Sequence, residues 1–305
     1  MIQKDQSSQR ERELLPEPFW AVDLASLRGQ SRSITWYRGQ MLMLVLAALA
    51  GIGDVDRNHL NWLQGISALL FAGAGYFWWR LGRDKPQTLW YEGRAAAESM
   101  KTLVWKYVVR AWPFAGDADS GEADEAFLKQ MNEVFLAFGE STVIPHEAQP
   151  MITDAMRRQR QLPLAMRRDV YLQERIRPQR TWYQSRADRC ESATTTWQLI
   201  SSATIIIAAA FAVAQFLGLV DLHLLGVCTT VAAAVTAWTQ LKQFRPLASA
   251  YRLAAAELGM IEAELTHFNL NIPMAEEHWS RLSSDAEDAV SREHTIWRAR
   301  RDRRV

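Results

Sequence analysis

Cysteine is nearly missing from these 305 residues: Cys190 and Cys228 stand alone, with no histidine at ligand spacing, which excludes a disulfide framework and a zinc module. Excess charge of one sign is missing too. Thirty-five Lys and Arg against 34 Asp and Glu leave a formal +1, which argues against a generally basic nucleic-acid binder. There is no zincin pattern, no G-x-S-x-G elbow and no phosphate-binding glycine loop, so neither catalysis nor a cofactor is expected. The glycines of "AGAGYF" and "GIGD" sit in or beside apolar runs, where they let helices approach closely. His278 and His294 follow acids and read as solvated helix residues. The opening "MIQKDQSSQRERELLPEP" lacks the apolar centre of a secretory signal, so no cleaved export segment is expected.

What is present is apolar sequence in four stretches. Trp197 to Val220 runs 24 residues without a charge, roughly 36 Å as a helix and enough to cross a bilayer core. After a turn with Asp221 and His223, Leu224 to Trp238 returns toward Lys242 and Arg245. In the first half, Leu60 to Trp79 is uncharged over 20 residues and ends against Arg80 and Arg83. Its partner has only 13 clean residues, Met41 to Gly53, and reaches full thickness by adding Ile34 to Tyr37 with Arg38 snorkelling to the headgroups. Tryptophans 36, 62, 78, 79, 197 and 238 mark segment edges, where an indole satisfies both its apolar body and its N–H. Lys and Arg gather outside the two hairpins, and the hairpin turns offer only Arg57, so both termini and the middle of the chain are expected in the cytoplasm.

The phrase "TWYRGQ" at 35–40 returns as "TWYQSR" at 181–186, and each copy runs through a span, a turn, a span and a basic flank into an alanine-rich helix. This is a tandem repeat of a two-span module. The expected divisions are a 1–33 segment with an amphipathic helix, a first module over 34–147 and a second over 148–305. Leu247, Tyr251, Ala254, Leu258, Ile261, Leu265 and Phe268 alternate four and three apart, a heptad seam. Milder seams run through Tyr183, Ala187, Cys190, Thr194 and Trp197, and through Ala96, Met100, Leu103 and Tyr107. The predicted fold is an all-α membrane protein with four transmembrane helices in two hairpins, extended by cytoplasmic helices as a coiled-coil-like stalk. Packing within the chain is the simpler reading of the seams, and zippers between subunits the other.

The stretches "AAAESMKTLVWKYVVRAWPF" (Ala95 to Phe114) and "AMRRQRQLPLAMRRDVYLQERIRPQRTWYQSRAD" (Ala155 to Asp188) resemble the SLATT domains, the SMODS- and SLOG-associating two-transmembrane effector domains. The resemblance implies a bacterial conflict or antiviral role at the inner membrane, in which a sensor or nucleotide signal triggers a homo-oligomeric pore. No nucleotide-binding domain is attached, so the sensor is expected to be a separate protein or a further surface of this chain. A non-conducting membrane scaffold is the alternative.

The spans hold no Asp, Glu, Lys or Arg near their centres, which lowers an ion-coupled transporter reading. Their neutral polar residues are Gln64, Ser67, Gln215, Thr229, Thr230 and Thr236, which either line a narrow wet pathway or bond across helices or to the preceding turn. Glu98 and Lys101, three apart on one helix, with Glu257 at the matching place in the second copy, are candidates for a gating contact or for ordinary helix pairing. Leu258 and Ile261 belong to the same packing set. Eight acids over Gly116 to Glu147 precede ten arginines over Ala155 to Arg189. Of these, Arg157, Arg158, Arg160, Arg167 and Arg168 are candidates for mutual pairing with the acids, for lipid headgroups or for an anionic nucleotide. Nucleic acid is not expected as a partner, since no stacking platform or groove motif accompanies the charge.

Overall fold

The computed structural model describes residues 9–52, 62–116, 121–138, 150–219 and 225–302, with side chains through 291. The predicted hairpin turns, with Arg57, Asp221 and His223, and the acids Asp117, Asp119, Glu140 and Glu147 lie outside the described residues. Every regular element among the described residues is a helix. They are α1 (Glu17–Ala50), α2 (Trp62–Asp84), α3 (Pro86–Val109), α4 (Gly121–Phe138), α5 (Asp154–Arg160), α6 (Leu164–Tyr171), a π-helical turn (Leu172–Ile176), α7 (Arg177–Phe216), α8 (Leu225–Lys242), α9 (Phe244–His267) and α10 (Ala275–Asp302).

Local sequence explains where several of these begin and end. Pro86 opens α3, where a missing N–H costs nothing, and Lys85 before it takes a left-handed φ of 39° that turns the chain out of α2. The second copy repeats the device: Gln243, at φ 47°, separates α8 from α9, and Pro246 falls in the first turn of α9. Thr153 caps α5, its hydroxyl accepting the Met156 N–H at 3.1 Å. At the far end of α7, Gly218 adopts φ 67° and its N–H reaches the Gln215 carbonyl at 3.1 Å, closing the helix.

The chain divides into two compact units. One comprises 1–30, 87–185 and 251–305, and the other 31–86 and 186–250. The first unit has the large core. Met100, Trp105, Tyr107, Phe114 and Phe127 from the first half pack in one cluster with Met156, Tyr171, Ile176, Leu258, Leu265 and Trp279 from the second. The heptad seam of α9 is spent here: Leu258 and Leu265 are buried, and Tyr251, Ala254, Ile261 and Phe268 pack against the cluster. Ala96, Met100, Leu103 and Tyr107 do the same on α3. A close approach of α1 and α3 in this unit needs Gly93, whose Cβ would stand 3.1 Å from that of Ser26. There the Ser26 hydroxyl donates to the Trp90 carbonyl at 2.9 Å.

The second unit contains the described parts of the four apolar stretches. Among the described residues one helical stretch, Leu164–Phe216, is by length and composition long and apolar enough to cross a membrane, and none of its most apolar window is buried within the chain. Within the unit α1 and α2 touch closely: a Cβ on Gly39 would meet the Phe77 ring at 2.8 Å.

Leu258 is 2% exposed, so Leu258→Ala should cost about 2–5 kcal/mol. Leu253→Ala, on the open side of the same helix at 63% exposure, should stay within about 0.5 kcal/mol. Chemical unfolding of the purified full chain measures both.

Candidate functional site

In the first unit the polar residues gather around one carboxylate. Glu287 falls on the inward face of α10 with Trp279, Ser283, Ala286 and Val290, and is fully buried. Arg175, 2% exposed, donates Nε at 3.0 Å and Nη2 at 2.9 Å to its two oxygens, a bidentate fork. Tyr171 adds its hydroxyl at 3.0 Å. Its ring meets Trp279 edge-on at 6.1 Å and lies 5.9 Å from Trp105. Tyr171 and Arg175 flank and enter the π-helical turn, which absorbs an extra residue just before Pro178. Burial works to lower Arg175, but the charge and hydrogen bonds of Glu287 outweigh it and hold the guanidinium above its ordinary range. Burial first, and then the Glu287 charge, push Tyr171 up as well.

A second cluster closes the end of α3, where the last carbonyls lack helical partners. Arg160 Nη1 donates to the Tyr107 carbonyl at 2.8 Å, and Arg167 Nη1 to the Val109 carbonyl at 2.8 Å. The Trp279 indole N–H reaches the same Val109 oxygen at 2.8 Å. The Ala111 N–H takes the Lys106 oxygen at 2.8 Å, with Arg110 at φ 58° making the turn. Cations at a helix C-terminus also meet the negative end of its dipole. Arg167 continues to Glu276, 2.6 Å from Oε2. Desolvation lowers both Arg160 and Arg167.

These contacts place the five candidate arginines. Arg160 and Arg167 are buried and hold main-chain carbonyls. Arg157 pairs with Asp124 at 2.8 Å, and Arg168 with Asp169 at 3.1 Å. Arg158 is exposed. The opposed charge blocks thus meet in part, through Arg157 and Asp124.

Glu98 and Lys101 take partners beyond their own spacing. Glu98 bonds Arg94 at 2.5 Å, and Lys101 pairs with Glu11, ninety positions away and therefore invisible to any helix rule. Both line a cavity of about 310 Å³ with Trp20, Asp23, Arg94 and Arg175. Glu257 is half-buried on α9, next to the buried Leu258. Ile261 packs on the core one turn further.

In the second unit four of the six neutral polar candidates bond to main-chain carbonyls. Ser67 donates to the Ala47 carbonyl of α1 at 2.8 Å, a bond between helices. Thr229 and Thr230 both bond back to Gly226, at 2.9 and 2.8 Å, and Thr236 to Ala232 at 2.8 Å. Gln64 is exposed on α2, and Gln215 is half-buried in the last turn of α7. Among the described residues no hydrogen bond joins Gln215 to the α8 threonines. Aromatic–cation contacts flank the apolar stretches: Arg80 lies 5.0 Å over Trp36, and Arg38 and Lys242 lie 5.1 and 5.0 Å from the Trp238 ring centre.

Sequence reasoning missed the Glu287 network. "YLQERI" holds two of its members, and the spacing of Glu287 with Trp279, Ser283 and Val290 was the available signal for a buried acid. Comparison with known families gives two consecutive matches. The family described as SMODS and SLOG-associating 2TM effector domain 3 matches residues 16–168, and domain 1 of the same description matches 171–297. No curated protein and no solved structure matches the chain.

Glu287→Gln should lose about 3–5 kcal/mol by stranding Arg175 in the core, while a double change of Arg175 and Glu287 to Met should recover most of that loss. A double-mutant cycle by denaturant unfolding reads the coupling. Burial, then the hydrogen bond to Asp124, raises Tyr107 from 10.0 to about 12. The folded value exceeds the unfolded one, so the neutral phenol stabilises the fold below pH 10 and that contribution is lost as pH rises toward 12. Tyr107→Phe should therefore show a shallower alkaline loss of thermal stability across that window.

Proposed function

Because this chain belongs to the SLATT families, with two SMODS- and SLOG-associating two-transmembrane effector domains in tandem, we propose that it is a membrane effector of a bacterial conflict-defence system. SLATT domains are associated with such systems as membrane effectors. The effector permeabilises the inner membrane as a regulated homo-oligomeric pore, triggered by a separate sensor protein or a nucleotide signal. It crosses the bilayer four times in two hairpins with both termini in the cytoplasm.

The observation that carries the membrane reading is the exposure of the apolar part of α7. Ile205, Ile206, Ile207, Val213 and Phe216 are 50–89% exposed, and no residue of the most apolar window is buried within the chain. In water such a surface would associate without specificity; in hydrocarbon it is solvated, and the helix satisfies its own main-chain groups.

Regulation follows from helix continuity. α1 and α7 each run unbroken from the first compact unit into the second. A signal or partner that repacks the first unit rotates these helices, and the rotation opens the pore. Gln215 with Thr229, Thr230 and Thr236 is the proposed lining. The scaffold reading draws on one specific observation: the three threonine hydroxyls are each satisfied within α8 and need no water.

The full chain reconstituted in dye-loaded liposomes, alone and with cyclic and ADP-ribose-type nucleotides or a co-expressed neighbour protein, should release dye on triggering. Its induction in cells should arrest growth, and Gln215→Leu should relieve the arrest. Folded, inserted protein that neither leaks nor arrests growth under any trigger would replace the pore with the scaffold.

A further inference from the structure

Among the described residues, two cations lie over one indole without a paired carboxylate. Arg38, on α1, and Lys242, one turn beyond Trp238 on α8, each stand about one ring-contact away from the Trp238 ring, at 5.1 and 5.0 Å. No carboxylate pairs with either among the described residues, and both cations stand over the same ring. The neighbouring pair is different: Arg80, over Trp36, is neutralised by Asp84 at 2.9 Å. Trp238 is 8% exposed, and its Nε1–H is buried with no acceptor among the described residues.

Two adjacent like charges and an unmade indole hydrogen bond are each unfavourable, and one oxyanion relieves both. We propose that Arg38, Lys242 and the Trp238 indole N–H form a binding site for the phosphate group of an anionic phospholipid.

Phosphate is the shared chemistry, and the surroundings choose a lipid as its source. The Trp197 ring lies 6.1 Å from Trp238, and the next residues along α7 from Trp197 include Leu199 and Ile200, 67% and 39% exposed. An acyl chain hung from a phosphate at Trp238 has that apolar surface beside it. A free phosphate gains nothing from it. The site joins a helix of the first half to one of the second, so a bound headgroup would bridge the two halves of the chain. This rests on the membrane reading above.

The test is native mass spectrometry and titration of the full chain in detergent, with phosphatidylglycerol against phosphatidylcholine. Wild type should prefer phosphatidylglycerol, and the double variant Arg38→Ala, Lys242→Ala should weaken its binding about 10- to 30-fold. Trp238→Phe, which keeps a ring and removes the N–H, should weaken it severalfold. Equal binding by wild type and the double variant overturns the site. Competition by millimolar inorganic phosphate or glycerol phosphate equal to that by the lipid overturns the lipid as its source. Carbonate extraction of cell membranes, and repetition of the titration with dispersed short-chain phosphatidylglycerol, separate the two readings. Insertion without binding sinks the site, whereas specific binding by a chain that carbonate strips from the membrane sinks the membrane function and leaves the site standing.

Discussion

The bidentate pair of Arg175 and Glu287 is the constraint around which the larger core is arranged. Both groups are out of water, so neither tolerates the loss of the other, and the position of each element bearing one is fixed by the need to meet. Tyr171 donates a further hydrogen bond to the same carboxylate and carries the contact to Trp105 and Trp279. Trp279 in turn donates to the end of α3, where Arg160 and Arg167 also arrive. The end of α3 is thus completed by its own main-chain turn, by two arginines more than fifty residues on, and by Trp279 from the second matched domain. Such a polar lattice gives less net stability than an apolar core of the same volume, but it admits few alternative registers.

Legibility in the sequence followed the range of the interaction. Helices and the α9 seam were readable, because a seam is a local period and any partner, inside the chain or out, imposes the same spacing. The seam proved to face the chain's own core, as Leu258 and Leu265 show. The tandem repeat was readable for the same reason, and the two family matches bear it out. Pairings across long intervals were not. Lys101 turns to Glu11 and Glu98 to Arg94, and a rule based on neighbours three apart has no access to the first of these.

Charge patterning was the least informative signal. Ten arginines in one block look like a surface, yet burial separates them by role: Arg175 is half of an ion pair, Arg160 and Arg167 serve carbonyl oxygens, and Arg158 is exposed. Sequence reports the presence of a guanidinium and its five donors; only the fold reports which acceptors lie in reach. The polar residues of the apolar runs pose the mirror problem. A threonine hydroxyl in a helix can always find the carbonyl one turn back, so its presence alone carries no information about water.

The division of the core between the halves bears on how such a protein arises and whether it can be undone. One compact unit takes its helices from 87–185 and 251–305 together, and its apolar cluster mixes both matched domains. A gene split between the matches would yield two fragments, each carrying one wall of a shared interior. The interior is one, while the sequence still reads as two.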